Sequence, residues 1–206
     1  MLKIWGRLSS INVQKVVWCA DELALAYERI DAGRQFGVND TPEYLAMNPN
    51  GLVPVIDDAG FILYESNAIV RYLAAREGRH SLWPAEPKAR ADVDRWMEWQ
   101  STSFTPATWA AFWQLVRTPV DKRDAAAVEA SRAKSEKCAG ILDRHLATRR
   151  FLTGDVFTTA DIVVGCATHR WLNLPIERES RPHLEGYYAR LKARAASRQV
   201  TSQALS

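Results

Sequence analysis

Two short polar stretches stand directly before apolar helical patterns in the first third of the chain. The first is residues 9–12, Ser-Ser-Ile-Asn, and the second is the pair Glu65-Ser66. Ser and Asn are favoured helix N-caps and an acid complements the helix dipole, so capping alone explains both stretches. The unpaired N–H groups of a helix N-terminus also bind anions. A ligand carboxylate could bind at the helix start around Ser66, and a ligand ammonium could bind to the side chain of Glu65. The pair would therefore suit the α-amino acid end of a ligand.

Ser10 is the residue of the first stretch that could take part in a reaction. No His or Asp stands at a diagnostic spacing to activate it as a nucleophile, and the chain has no GxSxG elbow. A hydroxyl at a helix N-terminus can donate to an anion, and the dipole there stabilises a thiolate. We therefore predict a hydrogen-bond donor, with helix capping as the alternative.

Pro54 stands inside "GLVPVIDD", which otherwise has the pattern of a strand. Proline removes a ladder hydrogen bond, so it belongs at a strand's first residue, at an edge or at a bulge. An edge strand with a trans proline is the ordinary interpretation. The alternative is a bend before Pro54 that leaves the backbone N–H and C=O of Val53 unpaired. An extended peptide ligand could then bind there as an added strand.

The elements that would position these residues are those of an α/β unit over residues 1–80. The segments "LKIW", "YERID", "VPVID" and "FILY" predict four short strands, the last two joined by the turn "DDAG". A helical stripe beginning at Val13 connects the first two strands, which favours a parallel pair. A second helix follows Tyr64 and ends near Gly78.

The second half of the chain predicts helices throughout. "SLWPAEPKAR" carries two prolines, so residues 81–87 are predicted to be a linker. Four long segments with helical spacing follow, and we find no convincing strand, so residues 88–206 are predicted to form an all-helical domain. The polar C-terminal stretch "SRQVTSQALS" is predicted to be disordered.

Composition excludes several classes of function. The 206 residues are 47% hydrophobic and 25% charged, as in soluble globular proteins, and the net charge of +3 comes from interspersed charges. Neither a clustered basic face for nucleic acid nor an apolar run of membrane length is visible. Cys19, Cys138 and Cys166 have no metal-like or CxxC spacing, so we expect free thiols in a reducing cytoplasm.

Eight tryptophans are the unusual feature of the composition. Trp96 and Trp99 are separated by three positions, and Trp109 and Trp113 by four, so each pair can share one helix face. Core packing explains such pairs. The alternative is an aromatic wall of a ligand pocket.

Motifs along the whole chain resemble the cytosolic glutathione transferases. The first half resembles their thioredoxin-like domain through "SSINVQKV", "NPNGLVPVI" and "ESNAIVRYLA", in that order. The second half resembles their helical domain through "FTTADI", where Thr158 and Asp161 have the spacing of a capping box. The match is to bacterial members near the serine-type phi and theta classes.

The resemblance implies a set of site residues. Ser10 matches the catalytic serine, with Ser9 as the weaker candidate, and the proline that matches Pro54 is cis in that family. Which of Ser9, Ser10 and Asn12 contacts the thiol stays open at this point. The Val53 backbone would hold the cysteinyl part of glutathione. The full set implied for glutathione is Ser10, Asn39, Val53, Pro54, Glu65 and Ser66. For the hydrophobic co-substrate it is Phe104, Trp109, Phe112 and Trp113.

The sequence departs from the family's pattern in two places. The loop "GRQFGVNDTPEY" lacks the His-Lys of the phi class, which weakens the assignment of Asn39 to the glycyl carboxylate. Leu52 stands where many relatives have a glutamine, so one side-chain contact to glutathione is expected to be missing.

The function that the resemblance implies is a cytoplasmic, homodimeric glutathione S-transferase active in detoxification. Glutathione is its co-substrate, a hydrophobic electrophile its other substrate, and no metal or other cofactor is expected. One alternative is another glutathione-dependent reaction, such as that of a peroxidase, isomerase or dehalogenase. The other is a non-enzymatic binding module with the same fold.

Overall fold

A computed structural model describes all of residues 1–206, and its first half is built on one four-stranded sheet. The strands are Leu2–Trp5 (β1), Tyr27–Ile30 (β2), Val55–Asp58 (β3) and Phe61–Tyr64 (β4). Their order is β2-β1-β3-β4. Strands β1 and β2 are parallel, and β3 is antiparallel to both β1 and β4. The predicted parallel pair and hairpin are both confirmed.

Three helices belong to this half: Ile11–Glu22 (α1), Pro42–Met47 (α2) and Ser66–Arg76 (α3). Helix α1 is the crossover between β1 and β2 and packs against α3. Its residues from Val13 to Ala20 are all buried, so its sides are covered by the sheet and by other helices.

The β3–β4 hairpin explains where Pro54 lies. Ala59 and Gly60 form its two-residue turn, and both have positive φ (52° and 93°), as a type I′ turn requires. Pro54 immediately precedes β3, so it removes no ladder hydrogen bond. The Val53–Pro54 peptide bond is cis, as the resemblance implies and against the base rate for proline.

The second half contains six further helices and no ladder strand. They are Pro87–Trp99 (α4), Thr105–Phe112 (α5), Ala125–Leu146 (α6), Thr159–Asn173 (α7), Pro182–Lys192 (α8) and Arg198–Thr201 (α9). A π-helical stretch, Gln100–Phe104, joins α4 to α5, and a second one, Trp113–Arg117, follows α5. The fold class predicted from the sequence, an α/β domain followed by a helical domain, is confirmed.

Helix α7 lies at the centre of the molecule. It begins with the predicted capping box: the backbone N–H of Thr158 donates to Asp161 at 2.8 Å, and the Asp161 carboxylate also accepts from Leu152 and Tyr187. Along its length, helix α7 packs against α1. One core cluster of 40 buried residues therefore runs through both halves, and it includes Leu82 of the linker. The domain boundary at residues 81–87 stays a prediction.

The C-terminal stretch corrects one expectation. It contains α9, whose Val200 is fully buried, and the Gln203 carbonyl lies 3.1 Å from Nε2 of His169. Leu205 also packs against the core, so two apolar side chains attach a segment that is otherwise polar. None of the helices combines the length and the apolar character needed to cross a membrane.

Candidate functional site

A cavity of about 370 Å³ lies between the two halves of the molecule. The loop after β1, the loop before β3 and the N-terminus of α3 form one side, and helices of the second half form the other. All residues predicted to bind glutathione line this cavity: Ser10, Asn39, Val53, Pro54, Glu65 and Ser66. Residues up to 56 positions apart in sequence are therefore brought together at one site.

Ser10 is the N-cap of α1, with extended backbone angles. Its carbonyl accepts from the N–H of Gln14 at 2.9 Å, but its hydroxyl makes no hydrogen bond within the chain. Capping by the side chain, the ordinary interpretation from sequence, is therefore not what this hydroxyl does. It lines the cavity together with Asn12, whereas Ser9 does not. The hydroxyl is free to donate to a ligand.

The backbone around Val53 is held open by its neighbours. The carbonyl of Leu52 accepts from the Tyr44 hydroxyl and from Nδ2 of Asn48, both at 2.8 Å. The N–H and C=O of Val53 make no hydrogen bond within the chain, although both neighbouring segments are ordered by such bonds. This is an open strand edge one residue long, suited to pair with an extended peptide.

The N-terminus of α3 provides a second set of free donors. The backbone N–H groups of Ser66, Asn67 and Ala68 make no hydrogen bond within the chain. Glu65 has φ 72°, a left-handed conformation that is rare for a non-glycine residue, and its side chain is exposed and caps nothing. Strain of this kind is found where the surrounding structure fixes a residue at a ligand site. A carboxylate and an ammonium can both be bound here.

Asn39 lies in the lining but already has a partner, because its Nδ2 donates to the Gly51 carbonyl at 2.7 Å. It therefore orders the loop before β3, and its side-chain oxygen remains available.

Most of the aromatic residues predicted to form a wall of the pocket do not line the cavity. Trp109 is half-exposed and lines the cavity, and Trp113 is half-exposed but outside the lining. Phe104 and Phe112 are fully buried in the core of the helical half, so neither side chain lies at the cavity. The helical pattern alone could not separate the wall from the core because both use apolar residues at the same spacing. Trp96 is buried and packs edge-on against Trp99, with ring centroids 5.3 Å apart.

Four arginines complete the lining, and sequence reasoning missed all of them: Arg7, Arg34, Arg117 and Arg170. None of the four forms a salt bridge. The buried Nε atoms of Arg7 and Arg117 and the buried Nη1 of Arg170 have no hydrogen-bond partner. Scattered singly along the chain, they gave no local signal.

Their environment lowers the pKa of three of these guanidiniums. Burial, and then the charge of Arg117, lowers the pKa of Arg170 to about 10. Burial, and then the charges of Arg34 and Arg7, lowers the pKa of Arg117 to about 10 as well. The pKa of Arg7 is lowered by burial and by Arg34. All remain charged at neutral pH, so the cavity is strongly positive.

The three cysteines are buried and lie outside the lining. Burial raises the pKa of Cys166 to about 12 and raises that of Cys19 further. These thiols are protonated at neutral pH, so any thiolate at the cavity would belong to a ligand.

Comparison with known proteins identifies the family. Residues 1–75 match the family model of the glutathione S-transferase N-terminal domain, and residues 125–190 match a model of its C-terminal domain. Glutathione S-transferase GstB of Escherichia coli is 42% identical over 202 residues, covering 97% of each chain. Glutathione S-transferase 3 of Zea mays is 32% identical, over 95% of this chain and 90% of that one.

Solved structures agree with this result. The theta-class glutathione S-transferase of Xanthomonas axonopodis pv. citri, crystallised with glutathione bound, superposes with a TM-score of 0.96. It is 44% identical, and the match covers 100% of this chain and 99% of that one. The chain belongs to the glutathione S-transferase family, a family of transferase enzymes.

Proposed function

We propose that this protein binds glutathione in the cavity, lowers the pKa of its thiol through Ser10 and transfers the thiolate to an electrophilic carbon. The observation that supports this best is the convergence of three unsatisfied groups on one cavity. They are the Ser10 hydroxyl, the Val53 backbone and the N–H groups at the start of α3. The Xanthomonas relative, which matches the whole chain, holds glutathione.

The proposed mode of binding uses each group once. The Val53 N–H and C=O pair with the cysteinyl residue as a strand would. The γ-glutamyl carboxylate accepts from the N–H groups around Ser66, and its ammonium donates to Glu65. Asn39 and its loop face the glycyl end. In this arrangement the thiol points toward Ser10.

The interaction free energies available at Ser10 are large enough to lower the pKa of the glutathione thiol. A free thiol has a pKa of about 8.5, so only a few per cent is thiolate at neutral pH. Lowering the pKa by about two units requires about 2.7 kcal/mol of differential interaction. A hydrogen bond to a charged acceptor contributes about 1.5–3 kcal/mol, and a helix N-terminus contributes roughly 0.3–1 kcal/mol. Ser10 at the start of α1 supplies both.

The test is a pH titration of the ultraviolet absorbance of bound glutathione thiolate in the wild type and in Ser10→Ala. We expect a titration well below pH 8 in the wild type and a rise of about one unit or more in the variant. Ser9→Ala is the matched control, because Ser9 lies outside the lining. An unchanged titration in Ser10→Ala would remove Ser10 from the mechanism, and failure of the wild type to bind glutathione would refute the function.

We further propose that the protein is a homodimer. Phe61 and Ile62 support this, because both side chains are exposed on β4, the edge strand of the sheet. Sedimentation at several concentrations is expected to give the mass of two chains, and Phe61→Ser to weaken the association. A wild-type protein of monomer mass throughout would refute this.

The proposed role is detoxification of electrophiles in the cytoplasm, supported by three free cysteines, which suit a reducing compartment. Sensitivity of a deletion strain to electrophiles, together with cell fractionation, tests both parts.

A further inference from the structure

Lys15 of α1 carries a buried charge that has no ionic partner. The residue is 2% exposed and forms no salt bridge with any carboxylate of the chain. Its Nζ atom donates to one neutral acceptor, Oδ1 of Asn67, at 3.2 Å. Buried ammonium groups are normally paired, because taking a charge out of water is costly. The free protein therefore leaves room for an anion near Lys15 that the chain itself does not supply.

Asn67 connects Lys15 to the start of α3. It is the second residue of that helix, and its backbone N–H is one of the three there that make no hydrogen bond within the chain. Its side chain is held at both ends, because Oδ1 accepts from Lys15 and Nδ2 donates to the Met97 carbonyl of α4 at 3.0 Å. Helices α1, α3 and α4 are thereby joined at the point where free N–H groups are available to a ligand.

The Lys15 side chain lines a second pocket, of about 450 Å³, that adjoins the main cavity. The two linings share Asn12, Glu65, Ser66 and Thr105. A carboxylate bound to the N–H groups around Ser66 would therefore stand beside the pocket that holds the Lys15 ammonium. At such short range, inside the protein, opposite charges attract strongly.

Three other helices surround Lys15 with charged or titratable groups. They are Glu65 at the start of α3, Arg71 of α3, Glu98 of α4, and Cys166 and Arg170 of α7. Burial contributes most to lowering the pKa of Lys15 to about 8; Arg170 acts in the same direction, and Glu65 and Glu98 in the opposite one. Arg170, with a pKa of about 10, and Cys166, with a pKa of about 12, keep their protons between pH 7 and pH 9, whereas Lys15 loses its own.

We propose that Lys15 is a positioning residue for glutathione: its charged ammonium orders Asn67 and attracts the γ-glutamyl carboxylate to the free N–H groups at the start of α3. This inference rests on the proposed function, which places that carboxylate around Ser66. Lys15 acts through Asn67 and through its charge. Because a nearby carboxylate favours the charged form of an amine, binding of the ligand and binding of the Lys15 proton support each other. Loss of that proton in mildly alkaline solution therefore weakens glutathione binding.

Two analogues of S-methylglutathione isolate the carboxylate. Both lack a titrating thiol, so Ser10 has no thiolate to stabilise. The glutaryl analogue lacks the γ-glutamyl amino group and keeps the carboxylate, whereas the aminobutyryl analogue lacks the carboxylate and keeps the amino group. The glutaryl analogue has no group that titrates between pH 7 and pH 9, so a change in its affinity reports on the protein.

The first test compares variants at pH 7 by calorimetric titration. We expect Lys15→Met to raise the Kd of the glutaryl analogue roughly tenfold and that of the aminobutyryl analogue by less than about threefold. Lys15→Arg keeps the charge and should restore the affinity to within about threefold of the wild type. Lys134→Met is the control, because Lys134 is exposed on α6.

The second test is a pH series with the glutaryl analogue. Between pH 7 and pH 9 we expect the affinity of the wild type to fall roughly fivefold to tenfold and that of Lys15→Arg to stay within about twofold. The wild-type profile requires no variant, so the proposal stays testable if Lys15→Met fails to fold.

Two results would overturn this role of Lys15. One is a wild-type affinity for the glutaryl analogue that stays level from pH 7 to pH 9, since the Lys15 proton would then not be linked to binding. The other is an equal loss of affinity for both analogues in Lys15→Met that arginine does not restore, which would leave Lys15 a residue of the fold alone. Failure of the wild type to bind S-methylglutathione itself would instead refute the proposed function.

Discussion

At the scale of single residues, the interior of this protein carries charges that a core normally excludes. Besides the arginines of the cavity, Lys15 on α1 is 2% exposed, and its Nζ donates to Oδ1 of Asn67 at 3.2 Å. Burial, more than any neighbouring charge, lowers the pKa of Lys15 to about 8. Such a group makes the free energy of unfolding depend on pH.

Lys15 binds its proton less tightly in the folded protein than in the unfolded chain, where its pKa is about 10.4. Between about pH 8 and that value, unfolding takes up a proton, so the contribution of Lys15 to the free energy of unfolding rises with pH. We expect the free energy of unfolding of the wild type, minus that of Lys15→Met, to rise by about 3 kcal/mol as the pH is raised across this interval. Urea unfolding at a series of pH values measures it.

Lys134→Met serves as the control, because Lys134 is exposed on α6. It should give a difference that does not vary with pH. A flat difference for Lys15→Met as well would mean that Lys15 is solvated in the folded protein.

At the scale of elements, the turn after β1 decides whether Ser10 reaches the cavity. Gly6 has φ 148°, and a Cβ atom there would lie 2.4 Å from Cγ2 of Val13 and 3.2 Å from Cβ of Val53. The β1–α1 connection and the Val53 loop therefore approach each other as closely as a glycine permits. The position of α1 depends on this contact.

We expect Gly6→Ala to lower the free energy of unfolding by about 3 kcal/mol or more and to weaken glutathione binding, since α1 must move away from the loop. Gly60→Ala is the matched control: Gly60 also has positive φ (93°), but a Cβ there meets nothing within 4 Å. It should cost about 1 kcal/mol, the strain alone, and leave binding unchanged. Chemical denaturation and calorimetric titration give the two quantities. Equal costs at both glycines would show that the close approach is unimportant.

At the scale of the whole molecule, the two halves share one core through α1 and α7. A Cβ atom at Gly165 of α7 would lie 2.8 Å from Leu191 and 3.0 Å from the Trp18 ring of α1. Near this contact, Arg194 forms an ion pair with Glu22 at 2.6 Å, and its guanidinium lies 3.7 Å from the Phe157 centroid. So tight an interface predicts that the halves unfold together.

Far-ultraviolet circular dichroism and tryptophan fluorescence are therefore expected to give coincident urea transitions. Gly165→Ala should lower stability by about 1–3 kcal/mol through overpacking and shift both signals equally. Gly186→Ala, on α8 where a Cβ meets nothing closer than 3.6 Å, should raise stability by about 0.5–1 kcal/mol. Separate transitions for the two signals would contradict a shared core.

Local signals in the sequence were enough to predict most of the architecture. The four strands, the hairpin and the long helices depend on alternation, turn residues and caps, which act between neighbours. The capping box of Thr158 and Asp161 is such a local feature, and it was predicted from the spacing of these two residues within the motif "FTTADI". The polar pairs at Ser10 and Glu65 were visible for the same reason, since they stand at helix starts.

The sequence by itself determined the fold class, the family and the polar residues predicted to bind glutathione, because these are written in short ordered motifs. Only the tertiary structure decided the rest of the cavity lining. Whether Phe112 faces a ligand or the core, and whether Arg7, Arg117 and Arg170 meet, depends on how distant helices pack. A charge has no local pattern that reveals its neighbours, so the positive character of this cavity exists only in the folded chain.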